Sequence, residues 1–391
     1  MNVKRWLRRA GCLALVSVLL TAACTTVAGE SWAGIATDGH YVYVAYKEQI
    51  FRVDLTKPNA PPSEVGTWIA QAPNKPHFYA PPAISDSAVY DGAYDGNFYA
   101  FDRTKGTPLS GWTNPTTTSD NKLIGAPTLV GNVLYIGMGN QGVRAYDAHT
   151  GAELAHYDGT KFGVWSAPLV VGDTVYVTSL DHNLYALDAG TLIYKWQLDL
   201  GGAISEAPIY ADGTLYVGTF NSELLAIDVS TNPGKIARRF TADGWIWGSP
   251  LVDNGTVYFG SMNGTIYALD AKTFSVKWTA ADTANPGGIR GRLALVTDAN
   301  TQDETKRLIL AGSESKRLYA YNADTGKLVW MSALVMNDKI LSDLVVVKPD
   351  VIFSTLDENQ LVVALNYSTG QIDWQVNLSQ TVSRLEGTPQ S

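Results

Sequence analysis

Short runs in which apolar and polar residues alternate recur along most of the chain, as in Val175–Thr178 and Leu184–Leu187. A period of two places successive side chains on opposite faces of an extended strand. No long segment shows the 3.6-residue apolar stripe of an amphipathic helix. The pattern predicts an all-β protein.

One sequence unit occurs eight times. Its marker is the acidic or amide residue that ends each Tyr-Ala-x-Asp-like run, and successive markers are 40 to 52 residues apart. The markers are Asp54, Asp102, Asp147, Asp188, Asp228, Asp270, Asn322 and Asn366. A tyrosine lies twelve residues before five of them, and a proline lies eight residues before each of those tyrosines. Such regular spacing over many copies indicates a repeat architecture.

Each unit is predicted to form four strands, a pattern that is plainest over Ala167–Leu198. A sheet of this size cannot bury both faces alone, so the copies must stack face to face, and a ring of them is a β-propeller. We predict an eight-bladed β-propeller of four-stranded antiparallel blades over residues 31–391. The way in which the ring closes stays open at this point.

The outer strand of several units carries a tryptophan at fixed spacing in the run Ala-x-Asx-x-x-Thr-Gly-x-x-x-Trp. The run is complete at Ala320–Trp330 and Ala364–Trp374, and its spacing is kept at Ala186–Trp196 and Ala268–Trp278. On these residues the chain resembles the PQQ-like β-propeller repeat family. In that family this tryptophan docks between adjacent blades, which implies structural roles for Trp196, Trp278, Trp330 and Trp374. We expect less regular packing at the other four joints, where the nearest large aromatics are Trp68, Trp112, Tyr157 and Phe240.

Among lipoproteins built wholly from this repeat, the chain is similar to the BamB family of outer-membrane assembly lipoproteins. Members of that family are non-enzymatic scaffolds that bind the barrel-inserting subunit of their complex. The resemblance implies a protein-binding subunit of an envelope complex, monomeric by itself, with no cofactor and no catalytic residues. The identity of the partner stays open.

The first 23 residues are predicted to be an export signal, because four basic residues in the first nine positions precede the apolar run Ala10–Ala23. Leu20–Cys24 resembles a bacterial lipobox. We therefore predict lipidation of Cys24 and a tether over residues 24–30. The lipid would hold the protein on the periplasmic face of an outer membrane or the outer face of a cytoplasmic membrane. Ordinary cleavage after Ala28, which would leave a soluble exported protein, is the alternative.

The charge of the chain argues against a nucleic-acid partner. The net charge is −8, and removal of residues 1–23 takes away four basic residues and no acidic ones. So acidic a surface would be repelled by phosphate backbones. We therefore expect proteins of the envelope as partners.

Few residues offer catalytic or metal-binding chemistry. Cys12 and Cys24 are the two cysteines, and the five histidines have no metal-ligand spacing. Gly137–Gly142 fits the pattern G-x-G-x-x-G, but a strand rather than a helix is predicted after it, so we interpret it as a hairpin turn. The polar run 298–306 offers oxygen ligands for calcium, with a solvated loop as the favoured interpretation. A quinoprotein oxidoreductase is the enzymatic alternative, although the predicted mature chain lacks the adjacent cysteine pair found in many such enzymes.

Aromatic and arginine residues gather in the loops that enter the inner strands, which in a propeller surround the mouth of the central channel. Such side chains favour contact with a protein or a glycan. We predict a partner-binding site formed by Tyr79, Trp165, Glu206, Trp245, Trp247, Arg290, Arg292 and Arg384. The alternatives are that these residues only cap the blade ends and pair with one another, or that the tryptophans bind a glycan.

Overall fold

The structure is a computed structural model that describes residues 33–56, 68–73, 75–115, 122–297 and 307–378. The predicted signal (1–23), the tether (24–30) with Cys24, the run 298–306 and Arg384 lie outside the described residues, so those predictions stay predictions. The described elements are β-strands apart from one short 3-10 turn at Glu358–Gln360, which confirms the all-β prediction. In these ranges no helix is long and apolar enough to cross a membrane.

Consecutive strands pair antiparallel in eight sheets, numbered here as blades 1 to 8 from the N-terminus. Blades 1 to 4 contain, in turn, β1 (Gly34–Thr37), β2 (Tyr41–Tyr46), β3 (Gln49–Asp54) and β4 (Ile69–Gln71); β5 (Ala83–Ile84), β6 (Ala88–Gly92) and β7 (Phe98–Asp102); β8 (Thr128–Val130), β9 (Val133–Gly137), β10 (Val143–Asp147) and β11 (Glu153–Tyr157); β12 (Leu169–Val171), β13 (Thr174–Thr178), β14 (Asn183–Asp188) and β15 (Tyr194–Asp199). Blades 5 to 8 contain, in turn, β16 (Ile209–Ala211), β17 (Thr214–Gly218), β18 (Glu223–Asp228) and β19 (Lys235–Thr241); β20 (Leu251–Asp253), β21 (Thr256–Gly260), β22 (Ile266–Asp270) and β23 (Val276–Ala280); β24 (Ala294–Thr297), β25 (Arg307–Gly312), β26 (Leu318–Asn322) and β27 (Leu328–Met331); β28 (Val345–Val347), β29 (Asp350–Ser354), β30 (Val362–Asn366) and β31 (Ile372–Val376).

Seven of these sheets have four strands in the described part of the chain. In blade 2 the outer strand is reduced to a single antiparallel bridge between Phe101 and Pro108. Six blades, from blade 3 to blade 8, share one irregularity, a shift of register directly after the alanine of the third strand, as at Ala186 and Ala320. A bulge at this point strengthens the local twist. The repeat is therefore kept in the strand register as well as in the sequence.

Eight hydrophobic clusters join the blades, and each cluster draws its residues from two neighbouring blades. The last of them joins blade 8 to blade 1, where Ile352 and Trp374 pack with Val42. At the same joint the Ser354 hydroxyl donates a hydrogen bond to the carbonyl of Ala33 at 2.7 Å. The blades therefore form a closed ring. In the described residues each sheet consists of consecutive strands, so this ring closes by packing rather than by a strand shared between the chain ends.

Side chains of one blade hold the turn that follows the marker residue in the next blade. Tyr258 and the ring N–H of Trp278 in blade 6 both donate to the carbonyl of Ala323 in blade 7, at 3.1 and 2.8 Å. The ring N–H of Trp330 donates to the carbonyl of Tyr367 in blade 8 at 3.0 Å. A buried tryptophan needs a partner for its ring N–H, and the backbone carbonyl of a neighbouring turn provides one.

The other tryptophans of the outer positions also lie at joints. Trp196 contacts Gly234 of blade 5, while Trp374 donates to the Asp350 carboxylate of its own blade at 3.0 Å. Trp68 and Trp112, for which we expected less regular packing, contact Gly106 and Gly151 of the next blades as Trp278 contacts Gly326. The ring N–H groups of Trp68 and Trp112 have no hydrogen-bond partner within the described ranges. Their rings dock in the regular place without the regular hydrogen bond.

Candidate functional site

Buried aliphatic residues fix the loops that enter the inner strands. We call them anchors, and they are Leu123, Val164, Ile204, Ile246, Ile289 and Ile340. Five anchors meet a glycine at the end of the second strand of the previous blade. A Cβ atom on Gly92, Gly137, Gly218, Gly260 or Gly312 would lie within 2.6 Å of the anchor side chain. This contact explains Gly137, the first glycine of the G-x-G-x-x-G pattern, which is followed by strand β10 as the hairpin interpretation requires.

The residue after each anchor points towards the central channel, because successive side chains of an extended chain lie on opposite sides. The channel contains a cavity of about 270 Å³. Six of its lining residues follow the six anchors directly: Ile124, Trp165, Ser205, Trp247, Arg290 and Leu341. The anchors thus hold the loops so that the next residue of each loop faces the channel. The backbone is regular around the ring, and the side chain at this position differs from blade to blade.

Six of the eight residues predicted for the partner-binding site line this cavity: Tyr79, Trp165, Glu206, Trp247, Arg290 and Arg292. Trp245 lies outside the cavity with 53% of its surface exposed, because it precedes the anchor Ile246. Arg384 lies outside the described residues. The sequence analysis did not single out Ser205 or Phe220 for this site.

Glu206 interrupts a ring of small residues. It lies two positions after its anchor, and the strand register gives the corresponding residues of the other blades as Ala33, Ala80, Gly125, Ser166, Gly248, Gly291 and Ser342. At the three glycines a Cβ atom would come within 2.8 Å of the backbone of the next blade. The carboxylate of Glu206 makes no hydrogen bond or ion pair among the described residues. An alignment of the eight units at the anchor would have singled out this position.

The charges in the channel are unevenly placed. Loss of contact with water raises the pKa of Glu206 to about 8, the Asp343 carboxylate adds to the rise, and Arg290 and Arg292 oppose it. The backbone N–H of Arg292 donates to the Asp343 carboxylate at 2.7 Å. The buried hydroxyl of Ser205 has no hydrogen-bond partner in the described part of the chain. Blades 5, 7 and 8 therefore form a polar side of the channel.

A stack of planar groups leads from the channel to the outer surface of the mouth. The Arg290 guanidinium lies 4.0 Å from the centre of the Trp247 ring. Trp247 and Trp245 lie on Phe220, with ring centres 4.9 and 5.5 Å away. Phe220 belongs to the turn between β17 and β18 and joins the two tryptophans that flank Ile246. Cation–π and aromatic contacts of this kind hold side chains in a fixed geometry.

A second aromatic group lies across the mouth at blade 2. The rings of Tyr79 and Tyr94 are 5.3 Å apart, and the Lys122 ammonium lies 4.2 Å from the centre of the Tyr94 ring. Tyr94 has 39% of its surface exposed. Phe162, in the loop entering blade 4, has 62% exposed. The mouth therefore presents several large rings to solvent on a rigid frame.

The described residues contain no group of three histidine, cysteine, aspartate or glutamate side chains placed to hold a metal ion. What the site offers is two arginines, two carboxylates, a hydroxyl and aromatic surface. These groups suit binding by charge, hydrogen bonds and apolar contact.

The fold and the site define a closed eight-bladed β-propeller with an aromatic and arginine-rich channel mouth. The chain belongs to the PQQ-like repeat family described as outer membrane protein assembly factor BamB, whose model matches residues 28–191, 112–231, 195–339 and 302–390. No curated protein sequence matches the chain.

Solved structures with the same fold include a bacterial protein, a designed protein and a yeast protein. BamB from Moraxella catarrhalis is 18% identical with a TM-score of 0.61, and the match covers 76% of this chain and 84% of that protein. The computationally designed protein Ika8 is 16% identical with a TM-score of 0.68, covering 86% and 96%. Sqt1 of Saccharomyces cerevisiae is 12% identical with a TM-score of 0.68, covering 83% and 92%. At these identities the likeness concerns the fold alone.

Proposed function

We propose that the protein is a non-catalytic scaffold of the cell envelope that binds protein partners on the face of the channel mouth. The membership of the BamB-like family supports a protein-binding subunit of a complex. The stack from Arg290 to Trp245 carries the proposal, because it holds an exposed tryptophan ring in place before any partner arrives. Rigid aromatic and arginine side chains contribute a large share of the binding energy in protein interfaces.

Substitution of the exposed rings tests this proposal. Trp245→Ala combined with Phe162→Ala removes two rings that are 53% and 62% exposed, so folding should be little affected. The tagged variant is expected to lose proteins that co-purify with the wild type, measured by quantitative mass spectrometry, at an unchanged melting temperature. Ile193→Ala is the matched control, since this residue is 66% exposed just before the outer strand β15. An unchanged set of co-purifying proteins would contradict the proposal.

The envelope location rests on the sequence, through the predicted export signal and lipidation of Cys24. A Cys24→Ser variant is expected to leave the membrane fraction for the soluble fraction. Wild-type protein that already partitions into the aqueous phase would exclude the anchor while leaving the scaffold role intact. Titration with pyrroloquinoline quinone and calcium tests the non-catalytic part of the proposal, since the scaffold is expected to bind neither.

Glycan binding is a second candidate, favoured by Trp165. Its ring lines the cavity and has no ring or cation contact among the described residues, whereas Trp247 is covered by Arg290 and Phe220. A sugar stacked on the open ring would lose affinity in Trp165→Ala. Retention of glycan binding in that variant would exclude this site.

A further inference from the structure

The outer strand of blade 7 differs from the other outer strands in its surface chemistry. Leu328, Val329 and Met331 of β27 are 47, 52 and 39% exposed, and Leu334 and Val335 directly after the strand are 61 and 50% exposed. Five large apolar side chains thus face solvent within eight residues. Isolated exposed apolar residues are common on proteins, whereas a contiguous group indicates a surface that another molecule covers.

The strand itself is an open edge. β27 pairs with β26 on one side and ends its sheet on the other, so one row of its backbone groups has no neighbouring strand in the described residues. Proteins protect such edges with charged side chains or keep the edge strand very short. The corresponding protection is present in the other outer strands: Glu153 in β11, Lys195 in β15, Arg238 in β19, Lys277 in β23 and Asp373 in β31 are charged, and β4 has only three residues.

The comparison is sharpest beside the docked tryptophan. The residue before Trp196, Trp278 and Trp374 is Lys195, Lys277 and Asp373, respectively, and the residue after each is polar. Beside Trp330 both neighbours are apolar, Val329 and Met331. β27 pairs with β26 in the same register as the outer strands of blades 4, 6 and 8 pair with their neighbours. The difference therefore lies in the surface residues of β27 and not in its fold.

We propose that β27 pairs antiparallel with β27 of a second copy of this chain, joining two propellers edge to edge through one continuous sheet. Such a contact is isologous, so each exposed apolar side chain of one copy meets the same strip on the other. Like charges directly opposite each other destabilise a strand pair. β27 contains no charged residue, and in an antiparallel pair with Val329 opposite Val329 of the second copy, Lys327 of one copy lies opposite Met331 of the other. The chain as a whole is acidic, with a net charge of −8, so two copies repel each other, and this repulsion is weakest where they meet at an uncharged edge.

Sedimentation velocity over roughly a hundredfold range of concentration tests the pairing. The full chain is used with Cys24→Ser so that no lipid contributes to association. The expected result is a shift towards twice the mass of one chain as concentration rises. Val329→Lys places two like charges across the symmetry axis and is expected to weaken the association by about tenfold or more.

Two controls separate this contact from general effects. Val329→Thr keeps a β-branched uncharged residue and should leave the association in place. Leu154→Lys adds the same charge at a 52% exposed position of β11 and should also leave it in place. Hydrogen exchange supplies a second measurement, since the amides of β27 should gain protection at high concentration in the wild type and not in Val329→Lys.

The proposal is overturned if the protein sediments as a single chain at every concentration, or if a dimer persists in Val329→Lys. It departs from the monomer that the family resemblance implies. It also goes beyond the scaffold role, which depends on the mouth face, so loss of co-purifying partners in the Trp245 and Phe162 variant and loss of self-association in Val329→Lys are separate results.

Discussion

The ring of Phe274 stacks on that of Tyr216 at 6.2 Å, across the joint between blades 5 and 6. Phe274 has a φ of +60° four residues after the marker, where Gly326 has +69° in the next blade. Gly326 lies beneath the indole of Trp278, whereas the blade before Phe274 has no outer-strand tryptophan. Leu192, with a φ of +54°, follows the other blade that lacks one. In blades 2, 3, 7 and 8 a glycine occupies this left-handed position beneath a tryptophan of the previous blade, and in blades 4 and 6 a large apolar side chain fills the space.

This relationship predicts an exchange between blades. Arg238 pairs with Ala226 in the register at which Trp278 pairs with Ala268, so it marks the place of the missing tryptophan. Phe274→Gly is expected to lower the free energy of unfolding by about 2–4 kcal/mol through loss of a buried ring. Arg238→Trp alone should also destabilise, because Phe274 occupies the space. In the double variant the tryptophan fills the space that Phe274 vacates, so denaturant titrations should show a loss clearly smaller than the sum. Simple additivity of the two losses would contradict the proposed exchange.

The docking of Trp278 predicts a difference between two glycines. A Cβ atom on Gly326 would lie 2.6 Å from the indole, whereas one on Gly255 would meet nothing within 4 Å. Both glycines have positive φ, +69° and +67°. Gly255→Ala should therefore cost about 1 kcal/mol of backbone strain, and Gly326→Ala should cost about 1–3 kcal/mol more because the ring must move. Equal losses in thermal unfolding would show that the indole does not press on this turn.

Asp91 is predicted to destabilise the fold at neutral pH. It is fully buried in β6, and neither carboxyl oxygen has a hydrogen-bond partner of normal geometry within the described residues. The corresponding residues in blades 3 to 6 are Ile136, Val177, Val217 and Phe259. Asp91→Val should therefore raise the free energy of unfolding at pH 7 by about 1–3 kcal/mol.

The pH dependence gives a further test of Asp91. Burial raises the pKa of Asp91 well above 3.8, and the nearby amide of Gly92 offsets only part of the rise. The folded chain then keeps a proton that the unfolded chain loses near pH 4, so the free energy of unfolding falls as pH rises above that value. The fall should be smaller in Asp91→Val, as measured by urea titration at several pH values. An identical pH profile in the variant would mean that Asp91 has a partner.

We predict that the carboxyl group of Glu206 loses its proton near pH 8 in the folded protein. Its pKa is raised from 4.5 to about 8, so the folded chain binds one more proton than the unfolded chain between these values, and stability falls as pH rises through this window. Glu206→Gln should remove that part of the slope. The fluorescence of Trp165 and Trp247, which line the same cavity, should change near pH 8 in the wild type and not in the variant. A change near pH 8 that persists in Glu206→Gln would assign it to another group.

The repeat could be predicted because its residues act across joints at fixed distances. Asp188 accepts hydrogen bonds from the backbone of Gly190 and Thr191, which ties the marker to a turn of set length. The docking of Trp68 and Trp112 was missed because the chain between marker and tryptophan is longer in those units. The contact is preserved in space while the spacing in sequence is not.

The residues of the mouth were predicted from the position of their loops alone. Which of them line the cavity depends on the direction in which each side chain points. Ile246 points into a joint, which places Trp247 in the cavity and leaves Trp245 at the surface, on either side of Phe220. Phe220 lies in a turn of another blade, so no local sequence signal connects it with the tryptophans. Ser205 is small and unremarkable in the sequence, and its role in the channel follows only from the register that Ile204 imposes.

Among the residues that the structure describes, blade 8 meets blade 1 through side chains and a few hydrogen bonds, without an interleaved strand, so the described part of this joint resembles the other seven. A circular permutant that starts at another blade should therefore assemble the same ring, with its break moved to the new position. If the ring opens transiently, it should open at the joint between the first and the last blade of the chain. The position of the termini would then decide which part of the channel wall can separate.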